Sequence, residues 1–204
     1  MARTQAADYD QRRETIMKTA AELYAKRGFL GASVAQIAIA CKTSKSLIYH
    51  YYPSKEDILY DVMDSHVQGL TQAARDIIDG PGDAPTKIRT IAHALMDLYA
   101  EAQSNQKVLL NELGNLPVER RSVIVAHQRA LLDLVDQLLI ELRPDLSSAK
   151  SHRRALVMMF FGMLNWTHTW FDPSGPVKGA EIADMAADMF LAGLDRNTSA
   201  TAIS

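Results

Sequence analysis

The chain has 204 residues, of which 48% are hydrophobic and 23% charged, with one cysteine and a formal net charge of −2. That length holds one sizeable core or a small domain beside a larger one, the composition is that of a globular chain, and a single Cys41 excludes an internal disulfide. The small net charge hides an asymmetry: residues 1–55 carry nine Lys/Arg against four acids (+5), and the remainder carries 13 against 20 (−7). A basic head on an acidic body suits a nucleic-acid partner, because neutralising phosphates supplies most of non-specific affinity.

Met1–Asp10 contains acids and no apolar run, so it does not read as a signal peptide. The first helix is predicted over Asp10–Arg27, with Ile16, Ala20, Leu23 and Tyr24 on one face. Ser33 and Gln36 stand at capping-box spacing and start a second helix. Its apolar stripe is Val34, Ile37, Ala38 and Cys41, which makes Cys41 a buried, reduced thiol. Cys41-Lys42-Thr43 leaves room only for a tight turn, and Ser44 caps a third short helix. That helix is expected to present Lys45, Ser46, Tyr49, His50 and Tyr51 outward and to be anchored by Leu47 and Ile48. Pro53 stops it, and Ser54 with Asp57 begins a fourth helix that runs to about Asp79. Two short helices joined by a three-residue turn, the second polar and aromatic, form a helix-turn-helix suited to a DNA major groove.

The segment Gly80-Pro-Gly-Asp-Ala-Pro85 is the clearest break in the chain. Further helices are predicted over Thr86–Gln103, Gln106–Leu113, Val118–Leu142, Ser147 or Ser148 to Phe171, and Lys178–Leu194, with a frayed tail over Asn197–Ser204. The longest wholly apolar run, Ala155–Leu164, is far short of the ~20 residues of a membrane span, so a cytoplasmic location is expected. No β pattern occurs. The expected fold is all-α, with a three-helix DNA-binding domain over residues 10–55 and a helical bundle over residues 56–196 for ligand binding and dimerisation.

In Ala155–Trp170 apolar residues lie nearly all round the helix. In the last helix Ile182, Met185, Ala186, Met189 and Gly193 make one stripe, and Ala183, Phe190, Leu191 and Leu194 a neighbouring one. Two doubly apolar helices at the C-terminal end suit a homodimer closed by a four-helix bundle. Met158, Met159, Phe160, Phe161, Met163, Trp166, His168, Trp170 and Phe171 crowd one helix. The enrichment is compatible with plain core and dimer contact, but as a group it reads as the wall of a small-molecule pocket. The candidate set is Met159, Gly162, Met163, Trp166 and Trp170, faced by Met96, Tyr99, Leu110 and Leu113.

The run TSKSLIYHYYPSKEDIL resembles the DNA-binding signature of the TetR-type (TetR/AcrR) transcriptional regulators. Its most specific elements are the Tyr49–Tyr52 cluster and Pro53-Ser54-Lys55-Glu56, and the preceding RRETIMKTAAELYAKRGFLGASVAQIA matches as well. The resemblance implies a repressor that binds a palindromic operator as a homodimer and is released by a small effector. The DNA-contacting set it points to is Ser33, Lys42, Thr43, Ser44, Lys45, Ser46, Tyr49, His50, Tyr51 and Lys55, with Lys55 on a phosphate at a helix N-terminus. One departure stands out: many members have Gly-Val where this chain has Lys42-Thr43. We read it as a variant turn with one added phosphate contact.

The segment FFGMLNWTHTWFDPSGPVKGAEIADMAADMFLAGL is similar to the C-terminal part of TetR-type repressors of acyl-CoA catabolism. That implies a CoA thioester as effector, with phosphates met by Arg129, Arg120, Arg121, Arg153 or Arg154. A drug-efflux regulator binding apolar compounds is the alternative. No metal-ligand spacing, P-loop, dinucleotide fingerprint or G-x-S-x-G occurs, so no catalytic residue, metal or cofactor is expected, and an enzyme acting on acyl thioesters is the remote third reading.

Overall fold

The computed structural model describes residues 2–200, and the side chains of residues 8–194. Among the described residues the chain is all-helical with no strand: α1 Ala2–Gly31, α2 Val34–Ala40, α3 Lys45–Tyr51, α4 Lys55–Asp79, α5 Ala84–Glu101, α6 Gln103–Asn111, α7 Val118–Leu142, α8 Lys150–Asn165 and α9 Gly179–Ala200. Single 3-10 turns follow at Leu113–Asn115, Pro144–Leu146 and Trp166–Thr169. No helix among them is long and apolar enough to cross a membrane.

The elements differ from the sequence expectation mainly at their ends. The helix α1 starts well before Asp10, while its regular backbone breaks at Gly28, whose φ of 72° only glycine adopts freely. The helix predicted up to Phe171 closes at Asn165 and tightens into the 3-10 turn Trp166–Thr169. The last helix continues to Ala200, where a frayed tail was expected, and residues 201–204 lie outside the described residues.

The chain gathers into two compact units. The first holds the described residues up to Gln68 together with Ala102–His127; the second holds Gly69–Glu101 and the described residues from Gln128 onward. The first unit therefore extends beyond the expected 10–55 segment, because α6 packs on α1. Its core is built from Ile16, Ala20 and Tyr24 of α1, Ile37 of α2, Ile48 of α3, and Ile58, Leu59 and Met63 of α4, all at most 3% exposed. Cys41 is half-buried and free, less enclosed than its stripe suggested.

In the second unit α5 lies along α9, and α8 packs on both. Phe160 is enclosed between Phe161 and Phe190, with ring centroids 5.5 and 5.1 Å away. The corner between α7 and α8 is tied by two buried arginines. Arg153 donates to Asp136 and to the carbonyls of Leu146 and Ser147, and Arg143 donates to Asp145 and to the Leu194 carbonyl. The bonds from Arg153 satisfy the Leu146 and Ser147 carbonyls at the end of the Pro144–Leu146 turn.

Candidate nucleic-acid interface

The helix-turn-helix is held by its caps. The Gln36 amide donates to Ser33 Oγ at 3.3 Å and the Ser33 amide to Gln36 Oε1 at 2.9 Å, a complete capping box. The Leu47 amide donates to Ser44 Oγ at 3.1 Å, and the Asp57 amide to Ser54 Oγ at 3.1 Å. Between α2 and α3 the Thr43 amide reaches the Ala38 carbonyl and the Lys42 amide the Ile39 carbonyl. This is a Schellman closure, and its left-handed position is Lys42, at φ 53°. The turn thus demands the conformation that glycine supplies most easily, and lysine adopts it here.

Seven residues make α3 two turns long, and Ile48 alone of them is fully buried. Lys42, Ser44, Lys45, Ser46, Tyr49 and His50 are exposed, as is the capping Ser33, whereas Thr43 and Tyr51 are half-buried. Lys42 and Lys45 form no ion pair with any described residue, so both ammonium groups are available to phosphate. A cleft of about 390 Å³ separates Asp8, Gln11, Arg12 and Thr15 of α1 from Cys41, Thr43 and Leu47.

Lys55, expected from sequence on a phosphate, is also engaged within the protein. Its Nζ donates to the carbonyls of Phe29 and Ala32 at 2.8 and 3.0 Å and sits 4.0 Å over the Phe29 ring. These carbonyls close the chain between α1 and α2, so two of the three ammonium donors clamp that connection. Its partners are 26 and 23 residues away, which no local pattern reveals.

Sequence reasoning also missed the residues that brace α3 from outside. Tyr9 of α1 stacks on Tyr51 with ring centroids 4.6 Å apart, and His50 meets Tyr51 edge-on. Asp61 of α4 accepts from Tyr52 Oη at 2.5 Å and from Arg13 Nη2 at 2.7 Å. Tyr52 is the C-cap of α3 and is 4% exposed, and burial together with its bond to Asp61 pushes its hydroxyl pKa well up. Tyr9 and Arg13, four residues apart on one helix face, are the only signal the sequence held. The same edge of α4 carries two more acids: Asp57 pairs with Arg120, and Asp64 lies 2.8 Å from His127. Burial raises the Asp57 carboxyl, but hydrogen bonds from Ser54 and Arg120 outweigh it and hold the pKa below the usual value.

The residues proposed for a ligand pocket do not share one environment. Met96 and Tyr99 are buried in the second unit, where Tyr99 Oη donates to Asn165 Oδ1 at 2.7 Å. Met163 is half-buried. Met159, Gly162, Trp166 and Trp170 lie on the surface, with Trp166 65% exposed. Helical periodicity turns this face away because Val157, Phe160, Phe161 and Leu164 take the core side of α8. Leu110 and Leu113 are half-buried in the first unit, and Arg129 is exposed. Of the arginines considered for CoA phosphates, Arg120, Arg153 and Arg154 are committed to Asp57, Asp136 and Asp133.

Residues 16–62 match the family model described as bacterial regulatory proteins, tetR family, and residues 81–194 match that of the tetracyclin repressor-like C-terminal domain. A TetR-family transcriptional regulator from Bordetella parapertussis is 35% identical, with a TM-score of 0.84 over 88% of this chain and 93% of that one. AibR, solved with isovaleryl coenzyme A and operator DNA, is 24% identical, with a TM-score of 0.75 over 87% and 97% of the two chains. The transcriptional repressor KstR2 of Mycobacterium tuberculosis is 22% identical over 199 residues, 94% of this chain and 96% of its own. With family models covering both its helix-turn-helix and most of its helical body, this chain belongs to the TetR family of helix-turn-helix transcriptional regulators.

Proposed function

We propose that the protein is a repressor that binds a palindromic operator as a homodimer and releases it when a CoA thioester occupies its helical body. The observation that carries the DNA-binding half is α3 itself: a capped two-turn helix anchored through Ile48, with Lys45, Ser46, Tyr49 and His50 exposed. Homodimerisation is supported by the outward faces of α8 and α9, where Met159, Met185 and Met189 are 66%, 47% and 66% exposed beside Gly162 and Gly193. A monomer gains nothing from so many large apolar side chains in water, whereas two copies facing each other bury them. The resulting two-fold places two recognition helices on half-sites about one DNA turn apart, ~34 Å.

The effector assignment draws on AibR, which was solved with isovaleryl coenzyme A. An acyl chain requires an adaptable apolar wall with few polar groups, and Met96, Met163 and Tyr99 with its Asn165 partner are of that kind. Release follows if the effector favours one shape of the dimer. A hundredfold change in DNA affinity requires about 2.7 kcal/mol of discrimination between the two shapes. The helix α4 contributes residues 55–68 to the first unit and 69–79 to the second. The ligand is returned unchanged, as in a regulator and not an enzyme.

A mobility shift on the protein's own upstream DNA, with a panel of CoA thioesters and the matching free acids, tests this reading. Release by a thioester and not by its acid is the expected result. Binding that ignores every thioester removes the CoA assignment and favours the efflux-type alternative; hydrolysis of the thioester would move the protein to the enzymes.

A further inference from the structure

We propose that Asp61 is a positioning residue for sequence reading: by holding Tyr52 and Arg13 it sets the pose in which α3 meets the base edges. The inference rests on the DNA-reading role of α3. A seven-residue helix has too little intrinsic stability to hold its own direction, so its pose is decided by its anchors. Near its middle the anchor is Ile48, fully buried. At its C-terminal end the anchor is Tyr52, whose amide closes the helix on the Ile48 carbonyl and whose hydroxyl ends on Asp61. Asp61 in turn is fixed by Arg13, so one carboxylate, 14% exposed, joins α1, the end of α3 and α4. The Tyr9–Tyr51 stack braces the same end from α1 but is open to solvent, which leaves the enclosed Asp61 as the firmer of the two supports.

Reading a base requires side chains placed to a fraction of an ångström, whereas attraction to phosphates by Lys42 and Lys45 tolerates a loosened helix. Loss of the support should therefore lower affinity for the preferred sequence and spare binding to random DNA. The wild-type full-length protein is used to select a duplex from a random library, and Asp61→Asn is measured on that duplex and on unselected DNA over a salt series. The expected result is a fall of about tenfold in the ratio of the two affinities, with non-specific affinity and salt slope unchanged. Tyr52→Phe removes one oxygen and leaves the Arg13–Asp61 pair, so it serves should Asp61→Asn fail to fold; a loss of the same kind, about fivefold, is expected. In the double variant the losses should not add in full, because the Tyr52–Asp61 bond is common to both changes. An unchanged ratio in Tyr52→Phe, or equal losses on both DNAs, would overturn the proposal. A library that the wild-type protein does not enrich would instead overturn the DNA-reading role on which it rests.

Discussion

Replacing Lys55 by Met separates two roles that the sequence alone leaves confounded. Methionine keeps an unbranched stem over Phe29 but removes the ammonium and both of its bonds, to the Phe29 and Ala32 carbonyls. A hydrogen bond from a charged donor contributes about 1.5–3 kcal/mol, and the ring contact at 4.0 Å roughly 0.5–1. Lys55 is only half-buried, so water recovers part of the loss, and the lower end of each range applies. The expected destabilisation is about 3.5 kcal/mol, which for a chain of this size corresponds to a fall in Tm of roughly 7–14 °C. The assay pairs a thermal melt with the salt dependence of DNA affinity, whose slope falls by about 0.9 for each phosphate that is no longer neutralised. An internal clamp predicts a lower Tm and an unchanged slope. A reduced slope with an unchanged Tm would refute the clamp and return Lys55 to the phosphate backbone.

Three further outcomes are expected. Lys42→Gly relieves a left-handed residue that costs about 1–2 kcal/mol, less about 0.5–1 for the added freedom of the unfolded chain, so the urea midpoint should rise by the equivalent of about 0.5–1 kcal/mol while the salt slope falls. A loss of stability would show that the turn does not require φ > 0. His66, 8% exposed and 2.8 Å from Gln106, has its pKa pushed down by burial, with the bond to Gln106 opposing. The unfolded chain then binds the proton more readily, so stability is complete above about pH 6.5 and falls as pH drops below it, by at most about 1.4 kcal/mol per unit. In His66→Gln, which keeps a partner for Gln106 without titrating, the urea midpoint should depend less on pH between 7 and 5; an identical pH profile would remove His66 as a source. Met189→Glu places a charge on the exposed face of α9 and should weaken self-association roughly 100-fold in sedimentation, and an unaltered oligomer would locate the interface elsewhere.

What could be read from the chain was local. The caps at Ser33, Ser44 and Ser54 each involve a partner three residues away, so spacing alone reveals them. Val118–Leu142 was legible to the residue because Pro117 precedes it and Arg143-Pro144 ends it. The left-handed demand at Lys42 was visible only as a departure from the glycine usual in the resembling family. The α8 pattern was ambiguous in a way sequence cannot lift: apolar on all sides, it said that the helix is covered more than once, not by what. The structure resolves half of that, putting Phe160 and Leu164 in the core and leaving Met159 and Trp166 outside.

By itself, then, the amino-acid order determined the all-helical class, the helix-turn-helix and the family, because periodicity, caps and turn residues act over three to seven positions. Tertiary structure alone decided that Lys55 clamps Phe29 and Ala32, that Asp61 joins Arg13 to Tyr52, and that α6 and the start of α7 pack with the reading head. Each of these depends on which distant groups arrive beside a buried charge or an open carbonyl. A charge near a helix start is equally suited to a phosphate outside and a carbonyl inside, and only the packing of the chain decides which it meets.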